Sequence, residues 1–211
     1  MLFSLCLIFP PAFSAELKGK VVDAVSYYNQ AVDAASNSSP DEALVLIDKS
    51  LALNPDFHLA LVTKAGILID AGRYVEAETC LNKADSIKPA DPYVNSSKAS
   101  LYVNTVRYRE SLESAEKALG EDPSLVEAWV LKGTACGALG EYEEEINASS
   151  QALTLDPRNT KARSNYEYAR QAINQNQSIN RQENAQKSPL PGFVALGACF
   201  FSVCFYRVSR R

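Results

Sequence analysis

The chain has 211 residues, 46% of them hydrophobic and 22% charged, with a formal charge of −4. That length holds one moderate domain with further segments at its ends, and the apolar share is enough for a real core. No stretch of the body concentrates Lys and Arg, which excludes a nucleic-acid footprint. Met1 to Ala15 opens on an apolar run of about eight residues, then Pro10-Pro11, then small residues, the pattern of a secretory signal peptide. Cleavage after Ser14 places Ala12 and Ser14 at the two small positions. The basic residue usual near the start of such a peptide is absent. The alternative is a hydrophobic first helix, which Pro10 and Pro11 are expected to break.

The body is organised by four prolines, Pro55, Pro89, Pro123 and Pro157, each 34 residues after the last. They divide it into units 24–57, 58–91, 92–125 and 126–159. Apolar residues recur at three and four spacing, as in Leu44, Ile47, Leu51 and Ala115, Ala118, Leu119, which predicts amphipathic helices. Gly72 and Gly140 fall where two helices of a unit would turn and a left-handed cap is wanted. Each proline falls where the second helix should stop. A helix–turn–helix unit repeated at this period cannot bury its apolar face alone and must stack on its neighbours.

Over residues 24–159 the chain resembles the tetratricopeptide repeat. The fourth position of a unit carries a large residue in that family and is Tyr27, Leu61, Asn95 and Trp129 here. The eighth is small: Ala31, Ala65, Ala99 and Gly133. Tyr74, Tyr108 and Tyr142 match the aromatic seventeenth position, where the first unit departs with Pro40. The small twentieth position has Ala43, Ala77 and Ser111, but Glu145 in the last unit; the twenty-seventh reads Ser50, Ala84, Ala118 and Ala152. Small residues let helix axes approach, and a carboxylate among them is costly to bury. Either Glu145 reaches solvent at the array end or the register slips by one and Ile146 turns inward. The resemblance implies an all-α, right-handed superhelical array of four helical hairpins, and Thr160 to Ile173 should add a capping helix (160–174) with Tyr166, Ala169 and Ile173 on one face.

What the family resemblance implies for function is a concave groove lined by the first helix of each unit. The lining expected here includes Tyr28, Val32, Leu59, Val62, Ile69, Tyr93, Ser96, Val103, Val130 and Thr134. It is apolar and hydroxylic, and Tyr28, Val62, Ser96 and Val130 stand where chaperone-binding members begin a basic clamp for a peptide carboxylate. The clamp is absent, so an extended or helical peptide with an apolar anchor is the expected partner, with Tyr28 and Tyr93 as aromatic contacts. A structural role in an envelope complex is the alternative.

Residues 175–189 are rich in Asn, Gln, Ser and Lys and read as a disordered polar tether. Pro191-Gly192-Phe193, an apolar run to Tyr206 and terminal Arg207, Arg210 and Arg211 follow. Residues 190–211 resemble the archaeal PGF-type sorting signal. That resemblance implies processing by an archaeosortase and lipid attachment of an exported, surface-anchored protein; the alternative is a tail anchor left in the membrane. Asn37, Asn95, Asn147 and Asn176 head N-glycosylation sequons. No catalytic site, cofactor or metal is expected. His58 is the sole histidine and is expected at the surface, away from any carboxylate cluster. Five cysteines show no CxxC spacing, and Cys80 and Cys136 are expected as packing residues.

Overall fold

The computed structural model describes residues 11–187 of the chain. The chain divides after Arg170 into two units. Among the described residues the elements are α-helices: α1 (Pro11–Ser36), α2 (Pro40–Leu53), α3 (His58–Asp70), α4 (Tyr74–Ile87), α5 (Pro92–Asn104), α6 (Tyr108–Glu121), α7 (Val126–Leu139), α8 (Tyr142–Leu155) and α9 (Thr160–Lys187). In the first unit α1 pairs with α2, α3 with α4, α5 with α6 and α7 with α8, and each hairpin packs on the next. The first helices also touch in sequence, α1 on α3, α3 on α5 and α5 on α7, so they form one layer. The fold class is the expected all-α array of helical hairpins.

The helix starts follow from local chemistry. Tyr74, Tyr108 and Tyr142 open α4, α6 and α8. Pro40, which departs from that pattern, opens α2 at a position where a proline loses no helical hydrogen bond. All four hairpin turns use one backbone device. Ser38, Gly72, Val106 and Gly140 adopt left-handed φ values of 61°, 73°, 62° and 81°. The next residue then donates its N–H back five residues: Ser39 to Ala34, Arg73 to Leu68, Arg107 to Tyr102 and Glu141 to Cys136. This is a Schellman closure, and glycine is its unstrained residue. A β-branched residue is the worst choice there, and Val106 is also 69% exposed, so packing gives nothing back. Val106→Gly is therefore expected to stabilise the chain by roughly 0.5–1 kcal/mol, read as a higher urea midpoint. An unchanged midpoint would mean that the turn is unstrained.

Packing explains the small residues. Ala31, Ala65, Ala99, Ala43 and Ala77 are fully buried where the paired helices cross. Where serine replaces alanine, its hydroxyl is satisfied by the opposite helix: Ser111 donates to the Ala99 carbonyl at 2.9 Å and Ser50 to the Ala24 carbonyl at 2.7 Å. Lys64, Lys98 and Lys132 each reach back to a carboxylate of the preceding hairpin, Asp48 at 2.7 Å, Asp85 at 2.8 Å and Glu116 at 2.9 Å. These partly exposed pairs fix register more than they add stability.

Glu145 takes neither of the routes expected for it. It stays at the helix crossing, 2% exposed, and its Oε2 has no hydrogen-bond partner. The relief comes from the facing helix: a Cβ on Gly137 would lie 2.5 Å from the Glu145 carboxyl. Burial pushes the Glu145 pKa up to about 7, so the acid is held largely neutral in acidic and near-neutral solution.

Two further expectations change. Pro11 starts α1 rather than breaking it, so residues 11–15 belong to a helix, while the apolar run before them lies outside the described residues. The expected tether is helical from 175 to 187: α9 is a continuous 28-residue helix. Asn159 caps it, accepting from the Ala162 N–H at 2.9 Å. Residues 160–187 contain neither Gly nor Pro, and their five Gln, four Ala and three Arg favour helix without burial. From Asn174 to Asn184 the second unit's helix exposes every residue.

Candidate partner-binding groove

The layer of first helices is the face on which the groove is expected, and only part of it is open. On α1, Tyr28 is half-buried and Val32 exposed. Val25, at the matching position one turn earlier, is exposed as well. On α3, Leu59 and Val62 are half-buried; on α5, Tyr93 is 50% exposed. These six side chains hold the same few positions of three successive units, so they share one face. Tyr28 is braced there by Phe57, ring centroids 5.0 Å apart.

The other expected residues serve the interior. Ile69 is buried among Ala65, Leu68 and Leu101. Ser96 is buried and Val103 is half-buried against Ala99 and Leu131. Val130 is buried against Ala152 and Ala162, the latter from α9. Thr134 donates to the Val130 carbonyl at 3.0 Å and accepts from Asn165 Nδ2 at 2.9 Å. The start of α9 thus covers the fourth hairpin in the way a fifth first helix would. Val130 and Thr134 are removed from the groove for that reason.

A charged cluster missed by sequence reasoning joins the starts of α3 and α5. Asp91 caps α5, its Oδ1 accepting from the N–H of Tyr93 at 2.9 Å and of Val94 at 3.2 Å. Its Oδ2 lies 2.7 Å from Lys88 Nζ and 3.6 Å from His58 Nε2. His58 is consequently a half-buried neighbour of a carboxylate and not the isolated surface residue expected. Burial pushes the Asp91 carboxyl up, but the Lys88 ammonium and the two backbone amides outweigh it and hold the group below its ordinary value. The contact ties together the helices that carry Leu59, Val62 and Tyr93. The signal for it in the sequence is Asp91-Pro92, an N-cap followed by a proline at the first helical position.

Elsewhere the chemistry is quiet. Burial raises the Cys136 thiol to about 11 and also raises Cys80, so neither is a ready nucleophile. Of the sequons, Asn37, Asn147 and Asn176 are exposed, but Asn95 is buried within α5 and is not available for modification in the folded chain. No helix among the described residues is long and apolar enough to cross a membrane. The expected spanning segment and sorting signal, residues 190–211, lie outside the described residues.

Models of the tetratricopeptide repeat match residues 34–101 and 126–159. The chain is 28% identical over 128 residues to Tetratricopeptide repeat protein 33 of Xenopus laevis, covering 60% of this chain and 50% of that one. It is 28% identical over 115 residues to the Hsp70-Hsp90 organizing protein of Triticum aestivum, 54% of this chain and 19% of that one. Its backbone is similar to the first TPR of Spaghetti (RPAP3) bound to the HSP90 peptide SRMEEVD, with a TM-score of 0.52 and 26% identity over 55% of this chain and 92% of that one. The chain spans half or less of the length of these two curated relatives. Over the matched residues, then, it carries tetratricopeptide repeats.

Proposed function

We propose that the chain is a non-catalytic scaffold that binds a peptide or protein segment on the open face of α1, α3 and α5. One observation carries this reading: Val25, Tyr28, Val32, Leu59, Val62 and Tyr93 form an apolar, partly exposed face at matching positions of three hairpins. A relative of known structure holds an HSP90 peptide on repeats of the same kind, which supports a peptide as ligand. The ligand differs in chemistry, because the fifth position here offers Tyr28, Val62, Ser96 and Val130 and no cation for a terminal carboxylate. An extended or helical segment with two apolar anchors is the better match.

Selection from a random peptide library on the immobilised chain tests this. Enriched peptides should carry aromatic or aliphatic anchors and lose roughly tenfold or more in affinity against Val62→Glu and Tyr93→Glu variants. Enrichment of acidic C-termini, or equal binding by the variants, would overturn it. Export and surface anchoring belong to the same proposal and rest on the sequence of residues 1–15 and 190–211. The intact mass of the mature protein, showing whether either end is removed and lipid added, decides them.

A further inference from the structure

Two residues on one row of α3 work against the helix that carries them. Val62, Gly66 and Asp70 are spaced four apart, so they follow one another along a single face. Val62 belongs to the groove, and the row is therefore part of it. Gly66 lies inside the helix, where glycine is less stable than alanine because it gives up more backbone freedom. Packing does not ask for it: a Cβ on Gly66 would have nothing within 4 Å. Gly133 and Gly137, by contrast, face Ser149 and Glu145, which a Cβ would crowd. Asp70 is the last residue of α3 and is exposed, so its charge meets the negative end of the helix dipole. The last turn of α3 holds no basic residue, and Arg73, the next in sequence, is engaged by Glu76 at 2.6 Å. Local rules broken without a compensating contact mark a functional surface.

The position of Gly66 carries Val32 on α1 and Ser100 on α5, the two helices that flank α3. The missing side chain thus leaves a notch in the middle of the groove. Along α3 the notch is bounded by Val62 on one side and Asp70 on the other, each about 5–6 Å away. The six side chains of the open face are uncharged, and Asp70 extends it with a single negative charge. Lys64 and Lys98, the lysines of α3 and α5, are held by Asp48 and Asp85. A notch with an apolar wall and a carboxylate at its foot fits a hydrocarbon stem with a cationic tip.

We propose that this notch is the specificity pocket of the groove and takes a lysine or arginine of the bound peptide, its stem over Gly66 and its charge at the Asp70 carboxylate. The inference rests on the groove being a peptide site and adds the chemistry of the partner. That partner carries an apolar anchor for Val62 and Tyr93 with a basic residue beside it.

The test repeats the random-peptide selection on the full chain as wild type, Gly66→Leu and Asp70→Lys. Wild type should enrich peptides with Lys or Arg beside the apolar anchor, and Asp70→Lys should enrich Asp or Glu there instead. In fluorescence anisotropy, norleucine or citrulline in place of that basic residue should weaken the strongest wild-type peptide roughly two- to fivefold, the scale of one exposed ion pair. Gly66→Leu, which fills the notch, should weaken it roughly tenfold or more. Both variants should at the same time raise the urea midpoint, because leucine favours helix over glycine and lysine suits a helix C-terminus. Altered binding by a more stable chain is an outcome that damage to the fold cannot produce. If Val62→Glu abolishes binding while Asp70→Lys leaves the charge of the selected peptides unchanged, the groove stands and the basic pocket falls. The pocket also falls if Gly66→Leu binds as well as wild type. Failure to enrich any peptide removes the groove itself, and self-association of the chain that Val62→Glu abolishes gives the face to a second copy; either overturns the proposal.

Discussion

Replacing Glu145 with glutamine is expected to raise the melting temperature at pH 8 and to change it little at pH 5. The folded chain holds the Glu145 proton up to about pH 7, whereas the unfolded chain releases it near the ordinary value of 4.5. Between these values the folded state binds more protons, so stability falls as pH rises. It is highest below pH 4.5 and the loss is complete above about 7. A difference of that size corresponds to about 3 kcal/mol, or roughly 6–12 °C in a domain of this length. Glutamine cannot ionise, so its melting curve should lack this slope. Parallel pH profiles of wild type and variant would show that Glu145 reaches water after all. Gly137→Ala probes the same contact from the other side. It should destabilise by about 1–3 kcal/mol with Glu145 present and be tolerated beside Glu145→Ala, where the helix preference for alanine is free to act.

Asp91→Ala is expected to cost about 3 kcal/mol, because it removes the cap of α5 and leaves the Lys88 and His58 contacts without their shared carboxylate. Asp91→Asn keeps an acceptor for the Tyr93 and Val94 amides and should lose less than half of that. The pH signature has the opposite sign to that of Glu145. The folded Asp91 carboxyl titrates below its ordinary 3.8, so its stabilisation is present above that value and is lost as pH falls through the depressed one. Urea midpoints from pH 2.5 to 6 separate the variants. If the asparagine and alanine variants coincide, the cap contributes nothing and the ion pair everything.

The hairpin array is legible in the sequence because its rule is steric and local. The 34-residue prolines, the alanines at helix crossings and the glycines at 72 and 140 each state a backbone or volume requirement at their own position. Sequence and structure part where one residue's environment is made by another far away. Glu145 is tolerated because Gly137 on the facing helix has no side chain, a relation that no local pattern announces. His58 meets Asp91 across a whole repeat. Val130 and Thr134 leave the groove because Ala162 and Asn165 arrive from α9. Residues 175–187 have little to bury, yet a helix without Gly or Pro needs only its own backbone bonds.

Trp129 is the sole indole, and its N–H is anchored to Pro123 across the junction of the third and fourth hairpins. In a chain whose hairpins touch mainly their neighbours, stability is partitioned along the array. Emission from this fluorophore accordingly gauges one joint near the C-terminal end of the stack and is blind to melting at α1 and α2. Circular dichroism sums every helix. A denaturation curve followed by both signals therefore acts as a positional ruler: where the two traces part, helix remote from the indole, in the N-terminal hairpins or the exposed end of α9, is melting before the joint that holds it.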